Sequence, residues 1–108
     1  MPDWTFEFAS DIAIAEAAAL PADLRAKLER FGDLIEAHGL RAMREPYAKH
    51  LEGKLWELRL KGRSGIARSL YVTVVERRVV VVRTFVKKTQ KTPRREIELA
   101  LVRAREIR

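Results

Sequence analysis

Arg59, Arg68, Lys87 and Lys88 lie in or beside stretches of alternating or β-branched residues in the second half of the chain. Arginine grips phosphate oxygens through a planar fork of N–H donors, and lysine adds a compact charge. Gathered on one surface, such groups hold a phosphodiester and stabilise the added negative charge of its pentacoordinate transition state. In RNA the neighbouring 2′-hydroxyl is a built-in nucleophile, so an enzyme need supply only positioning, charge and some proton transfer. A lysine crowded by other cations has a lowered pKa and suits that transfer. Arg83, Lys61 and Lys91 extend the cationic set, and Phe85 and Tyr71 offer rings on which bases can stack.

Each residue also fits a plainer role. Arg59 suits the solvent side of an amphipathic strand, and Lys87 and Lys88 suit protection of a sheet edge. Tyr71 and Phe85 suit a core, Glu57 suits a counter-ion for Arg59, and His50 suits an exposed loop. Strict alternation groups Arg68 with Leu70, Val72 and Val74. It therefore sits at a strand end, on a bulge, or beside a carboxylate.

Other chemistries lack their residues. The chain has no cysteine and only two histidines, His38 and His50, which excludes thiolate chemistry and disfavours a structural zinc site. None of Ser10, Ser64 and Ser69 sits in a nucleophile-elbow motif, and no glycine-rich phosphate loop is present. No metal and no cofactor is expected. No apolar run is long enough to span a bilayer, and Met1-Pro2-Asp3-Trp4 does not open a secretory leader, so a cytoplasmic protein with no membrane partner is expected.

Charge is divided along the chain. Met1 to Lys54 holds 7 Lys/Arg and 10 Asp/Glu, a net of −3; Leu55 to Arg108 holds 15 and 5, a net of +10. A half so polarised points to an anionic partner, nucleic acid or acidic protein, or else to a solvated basic face.

The elements that must position these residues follow from periodicity. The 108 residues, 47% hydrophobic, suit one domain with a modest core. Trp4 to Phe8 alternates as a half-buried strand. Ser10 is placed to cap a helix to about Leu20. Pro21 opens a second helix, striped by Leu24, Leu28, Phe31, Leu34 and Ile35 and closed at His38-Gly39. Residues 40–54 read as irregular. Strands follow at Leu55–Lys61, Ala67–Val75 and Val79–Val86, the last almost all valine and so central. Gly62-Arg63-Ser64-Gly65 and Glu76-Arg77-Arg78 read as their turns. Thr92 is placed to cap a final helix begun by Pro93, with Ile97, Ala100, Leu101 and Ala104 inward. The expected fold is α+β, β-α-α-β-β-β-α, with a mainly antiparallel sheet and the helices packed on one face.

Three stretches carry a family resemblance: "LEGKLWELRL", "ARSLYV" and "VVVVRTFVKKTQKTPRREIELALVRAREI". Together they resemble the phage-derived, HigB-like branch of the RelE/ParE toxin superfamily. The most specific part is the run from Lys87 to Pro93, followed by the helix that carries Ile97 and Ala100. The resemblance implies a RelE-like fold and the toxin of a type II toxin–antitoxin pair, its partner a small helix-turn-helix antitoxin. It implies a metal-independent endoribonuclease acting on mRNA in the ribosomal A site and leaving a cyclic phosphate. By position, Arg59 and Arg68 would bind the scissile phosphate, Lys87 and Lys88 would add charge or proton transfer, and Phe85 would help to position a base. The histidine and aspartate that some relatives use near the C-terminus have no match, so no general base is assigned. ParE-type relatives inhibit DNA gyrase without catalysis, and a module that only binds nucleic acid or a partner is a further alternative.

Overall fold

A computed structural model describes residues 3–88 and 90–107. Its elements run β1 (Thr5–Phe8), α1 (Asp11–Ala18), α2 (Ala22–His38), β2 (Ala48–Glu52), β3 (Leu55–Gly62), β4 (Gly65–Val74), β5 (Arg78–Val86) and α3 (Arg94–Ala104), with a 3₁₀ turn at Leu40–Ala42. The five strands form one sheet in the order β1-β5-β4-β3-β2. β1 pairs in parallel with β5, and the β2–β3, β3–β4 and β4–β5 pairings are antiparallel. The α+β class and the mainly antiparallel sheet agree with the sequence reading.

Local chemistry sets most boundaries. The Ser10 side chain accepts a hydrogen bond from the Ala13 N–H and caps α1. Gly39, at φ 81°, closes α2 in a region that favours glycine. Glu76 and Arg77 both adopt positive φ, 67° and 60°, which turns the chain tightly between β4 and β5.

Two expectations are corrected. Residues 48–52 form an edge strand, because Ala48, Lys49 and His50 pair with Leu58, Glu57 and Trp56; a register shift between His50 and Glu52 breaks the alternation that would have marked it. The helices, moreover, cover both faces. Ala17 of α1 and Leu24, Leu28, Phe31 and Ile35 of α2 pack with Leu58, Leu60, Tyr71, Val79 and Val81. On the opposite face Ile97, Ala100, Leu101 and Ala104 of α3 pack with Leu55, Leu70, Val72, Val80 and Val82. The valine run requires this, since alternate valines point to opposite faces and both sets are buried. Among the described residues no helix is long and apolar enough to cross a membrane.

Candidate functional site

The face beneath α3 carries the polar residues of β3. Along "LWELRL", Leu58 and Leu60 point toward α2, so Glu57 and Arg59 point the other way. In the β3–β4 ladder Arg59 stands opposite Arg68 and Glu57 opposite Leu70. Arg68 therefore shares the face of Glu57 and Arg59, as strict alternation from Leu70 requires. It is 5% exposed, and Glu57 is 1% exposed.

Two buried charges are tolerable only as partners. Arg68 Nη1 donates to Glu57 Oε2, and Arg59 Nε donates to the same oxygen at 3.1 Å. The other oxygen, Oε1, accepts from the Thr92 hydroxyl at 2.5 Å. Thr92 is thus not the cap of α3: Pro93 holds that position without a side-chain bond, and the Thr92 hydroxyl is spent on Glu57. Burial pulls the Arg68 guanidinium below its ordinary pKa, the Glu57 charge opposes this, and Arg59 adds to it. The Arg68 Nε is buried with no acceptor among the described residues. An orphaned buried donor is rare and costs about 1–3 kcal/mol unless something satisfies it.

These residues line an open cleft of about 250 Å³ between β2, β3, β4 and the approach to α3. Its charged lining is Lys49, Arg59, Arg68 and Lys91 against Glu57, a net of +3 with His50 neutral. Lys87 adjoins it at the end of β5, where its backbone N–H donates to Ile66 O at 2.7 Å. Burial lowers the Lys87 pKa, and the nearby Arg68 and Arg59 charges lower it further. Phe85 stands directly opposite Arg68 in the β4–β5 ladder, half-buried on the same face.

Four expected members lie elsewhere. A bulge in β5 decides Arg83: Leu70 pairs with Arg83 but Tyr71 with Val81, which leaves Val82 as the extra residue. Arg83 then reaches Glu96 of α3 and Glu16 of α1, each at 2.7 Å, and those carboxylates raise its pKa. Tyr71 points to the α2 face, 2% exposed, and burial pushes its hydroxyl up to about 12. Lys61 and Lys88 are exposed and do not line the cleft. Thr89, within the basic run, lies outside the described residues.

Lys49 and Thr92 are lining residues that the sequence reading missed. Lys49 pairs with Glu57 across β2 and β3, a placement that the bulged strand conceals in the sequence. The His50 ring packs edge-on to Trp56, centroids 5.2 Å apart, and its Nε2 meets Gly53 O at 2.7 Å.

The family model described as "Phage derived protein Gp49-like (DUF891)" matches residues 15–105. Among solved structures, an arginine-to-alanine double mutant of the E. coli toxin RelE in the free state is similar at 19% identity, with a TM-score of 0.63 over 94% of this chain and 97% of that one. The archaeal RelE–RelB complex from Pyrococcus horikoshii contains a chain similar at 19% identity, with a TM-score of 0.57 over 80% of this chain and 96% of that one. No curated protein matches the sequence. At this identity the two structural likenesses concern the fold.

Proposed function

The chain belongs to the phage-derived Gp49-like family and has the fold of RelE toxins; from that premise we propose that it is the toxin of a type II toxin–antitoxin pair and a ribosome-dependent mRNA endoribonuclease. The observation that carries the reading is the convergence of Arg59, Arg68 and Lys91, from three separate segments, on one cationic cleft beside Lys87.

In the reaction the 2′-oxygen of the RNA bonds to phosphorus, the bond from phosphorus to the 5′-oxygen breaks, and a 2′,3′-cyclic phosphate remains. Lys87, its pKa lowered by burial and by two arginines, takes the 2′-hydroxyl proton. Arg59 and Arg68 hold the non-bridging oxygens as their charge grows. The leaving 5′-oxygen gains a proton from solvent or from Lys91. Phe85 lies on the same face, where it can lean on a base. The chemistry needs no cofactor. The partner is an antitoxin whose acidic segment covers the same cleft, and the site of action is the cytoplasm.

The test is tightly controlled expression joined to mRNA mapping on translating ribosomes in vitro. The expected result is growth arrest with cuts phased to codons and dependent on ribosomes, both lost in Lys87→Ala. General acid–base participation implies a fall of about 100-fold or more in that variant. Intact mRNA with a supercoiling defect would replace this reading with gyrase inhibition, and absence of toxicity would reduce the protein to a binding module.

A further inference from the structure

We propose that Glu57 is a positioning residue that orders the cationic cleft and, through its own negative charge, restrains the affinity of the cleft for RNA. The inference rests on the nuclease reading and assigns a role inside the same site.

Arg59 and Arg68 stand directly opposite each other on neighbouring strands. Like charges so placed repel, and would splay unless an anion lies between them. Glu57 supplies it, since one oxygen, Oε2, accepts from both guanidinium groups. The second oxygen takes the Thr92 hydroxyl and so fastens the end of the basic loop to β3. One buried carboxylate therefore joins β3, β4 and the approach to α3. A plain counter-ion on the surface would need neither this burial nor the third partner.

The arrangement has a functional cost. A cleft that receives phosphate carries a fixed negative charge at its floor, which opposes the substrate. Glu57 therefore favours the placement of the cations over tight binding of the ground state, and only interactions that strengthen in the transition state raise the rate. Among the described residues Glu57 meets the guanidinium through Nη1, and the Arg68 Nε finds no acceptor there, which leaves donor capacity for a phosphate oxygen.

Glu57→Gln keeps the shape and an acceptor for Thr92 or Arg68 but removes the charge. The test measures its binding to a 2′-O-methyl oligonucleotide, which cannot be cleaved, and its single-turnover cleavage of mRNA on ribosomes. Expected is binding tighter by about 3-fold or more at low salt, together with cleavage slower by about 10-fold or more. A loss of structure alone would weaken both. Thr92→Val removes the fastening without altering charge: cleavage should fall without a gain in affinity, and Thr92→Ser should restore it. Cleavage by Glu57→Gln at the wild-type rate, or a joint fall of affinity and rate, overturns the inference. Should the wild-type protein leave mRNA intact on ribosomes, the nuclease reading is what fails. Tighter oligonucleotide binding by Glu57→Gln would then still support the restraint, and unchanged or weaker binding would overturn it.

Discussion

Arg68 is tied to a buried carboxylate and Lys87 is not, so truncating the two should read differently. Arg68→Ala leaves Glu57 buried without its nearest cation, and breaking such a pair costs about 3–5 kcal/mol. Its loss of activity would therefore come with a fall in melting temperature. Lys87 has no side-chain ion pair among the described residues, and Lys87→Ala should stay within about 0.5 kcal/mol of wild type in urea unfolding while activity falls. The lowered Lys87 pKa also fixes the direction of a pH profile. If the neutral amine takes the 2′-hydroxyl proton, single-turnover cleavage rises with pH and levels off above the Lys87 value. Lys87→Arg should abolish that rise, because arginine stays protonated throughout.

At the scale of elements, α1, β5 and α3 are held by one ionic clasp. Glu16 of α1 meets Arg83 of β5 at 2.7 Å and Arg103 of α3 at 2.8 Å, and Glu96 of α3 meets Arg83 at 2.7 Å. Arg103 also donates to the Val82 carbonyl at 2.8 Å, beside the bulge. Burial tends to raise the Glu16 pKa, but Arg103 and Arg83 outweigh it, and the carboxyl sits below its ordinary value of 4.5. The stabilisation is thus present in full above that value and lost as pH falls through the lowered one. Glu16→Gln should cost about 1–3 kcal/mol in urea unfolding at neutral pH. The difference from wild type should shrink below about pH 4.5. A second element contact is steric: a Cβ on Gly32 of α2 would stand 2.7 Å from Phe6 Cδ2 of β1. Gly32→Ala gains about 1 kcal/mol of helix propensity but meets an overpacking cost of about 1–3 kcal/mol. A lower melting temperature is expected, which a thermal scan would read.

For the molecule as a whole, the division of charge decides how partners arrive. The first half carries −3 and the second +10, and the cleft draws its arginines and Lys91 from the second. A field of that kind steers polyanions and is screened by salt within about 10 Å at 0.1 M. Single-stranded RNA that pairs its phosphates with about four cations should show a slope near −3 in log affinity against log salt, from about 0.7 per contact. Lys91→Gln should reduce the slope by about one contact without changing which sequences bind. An acidic antitoxin segment should compete for the same cleft, so RNA binding and antitoxin binding are expected to exclude one another in a competition titration.

The sequence by itself determined the elements whose periodicity is strong. The stripe from Leu24 to Ile35, the alternation of "LWELRL", the valine run and the inner face of α3 all read directly, because burial on a helix or strand imposes a spacing on apolar residues. Alternation put Arg59 on the polar side of its strand but grouped Arg68 with Leu70, Val72 and Val74, and only the β3–β4 register brought the two arginines onto one face. Tertiary structure alone decided the rest. A bulge of one residue reverses the parity of β5 and sends Arg83 to Glu16 and Glu96, and nothing in a run of valines marks where the ladder slips. The short β2, and with it the place of Lys49, exists because β3 offers it an edge rather than because its residues favour a strand. Thr92 has the chemistry of a helix cap, yet its hydroxyl serves Glu57, 35 residues away in sequence, since a buried carboxylate is the stronger claimant for a donor. Contacts between distant segments leave no periodic trace in a sequence, and the cleft is built almost entirely from such contacts.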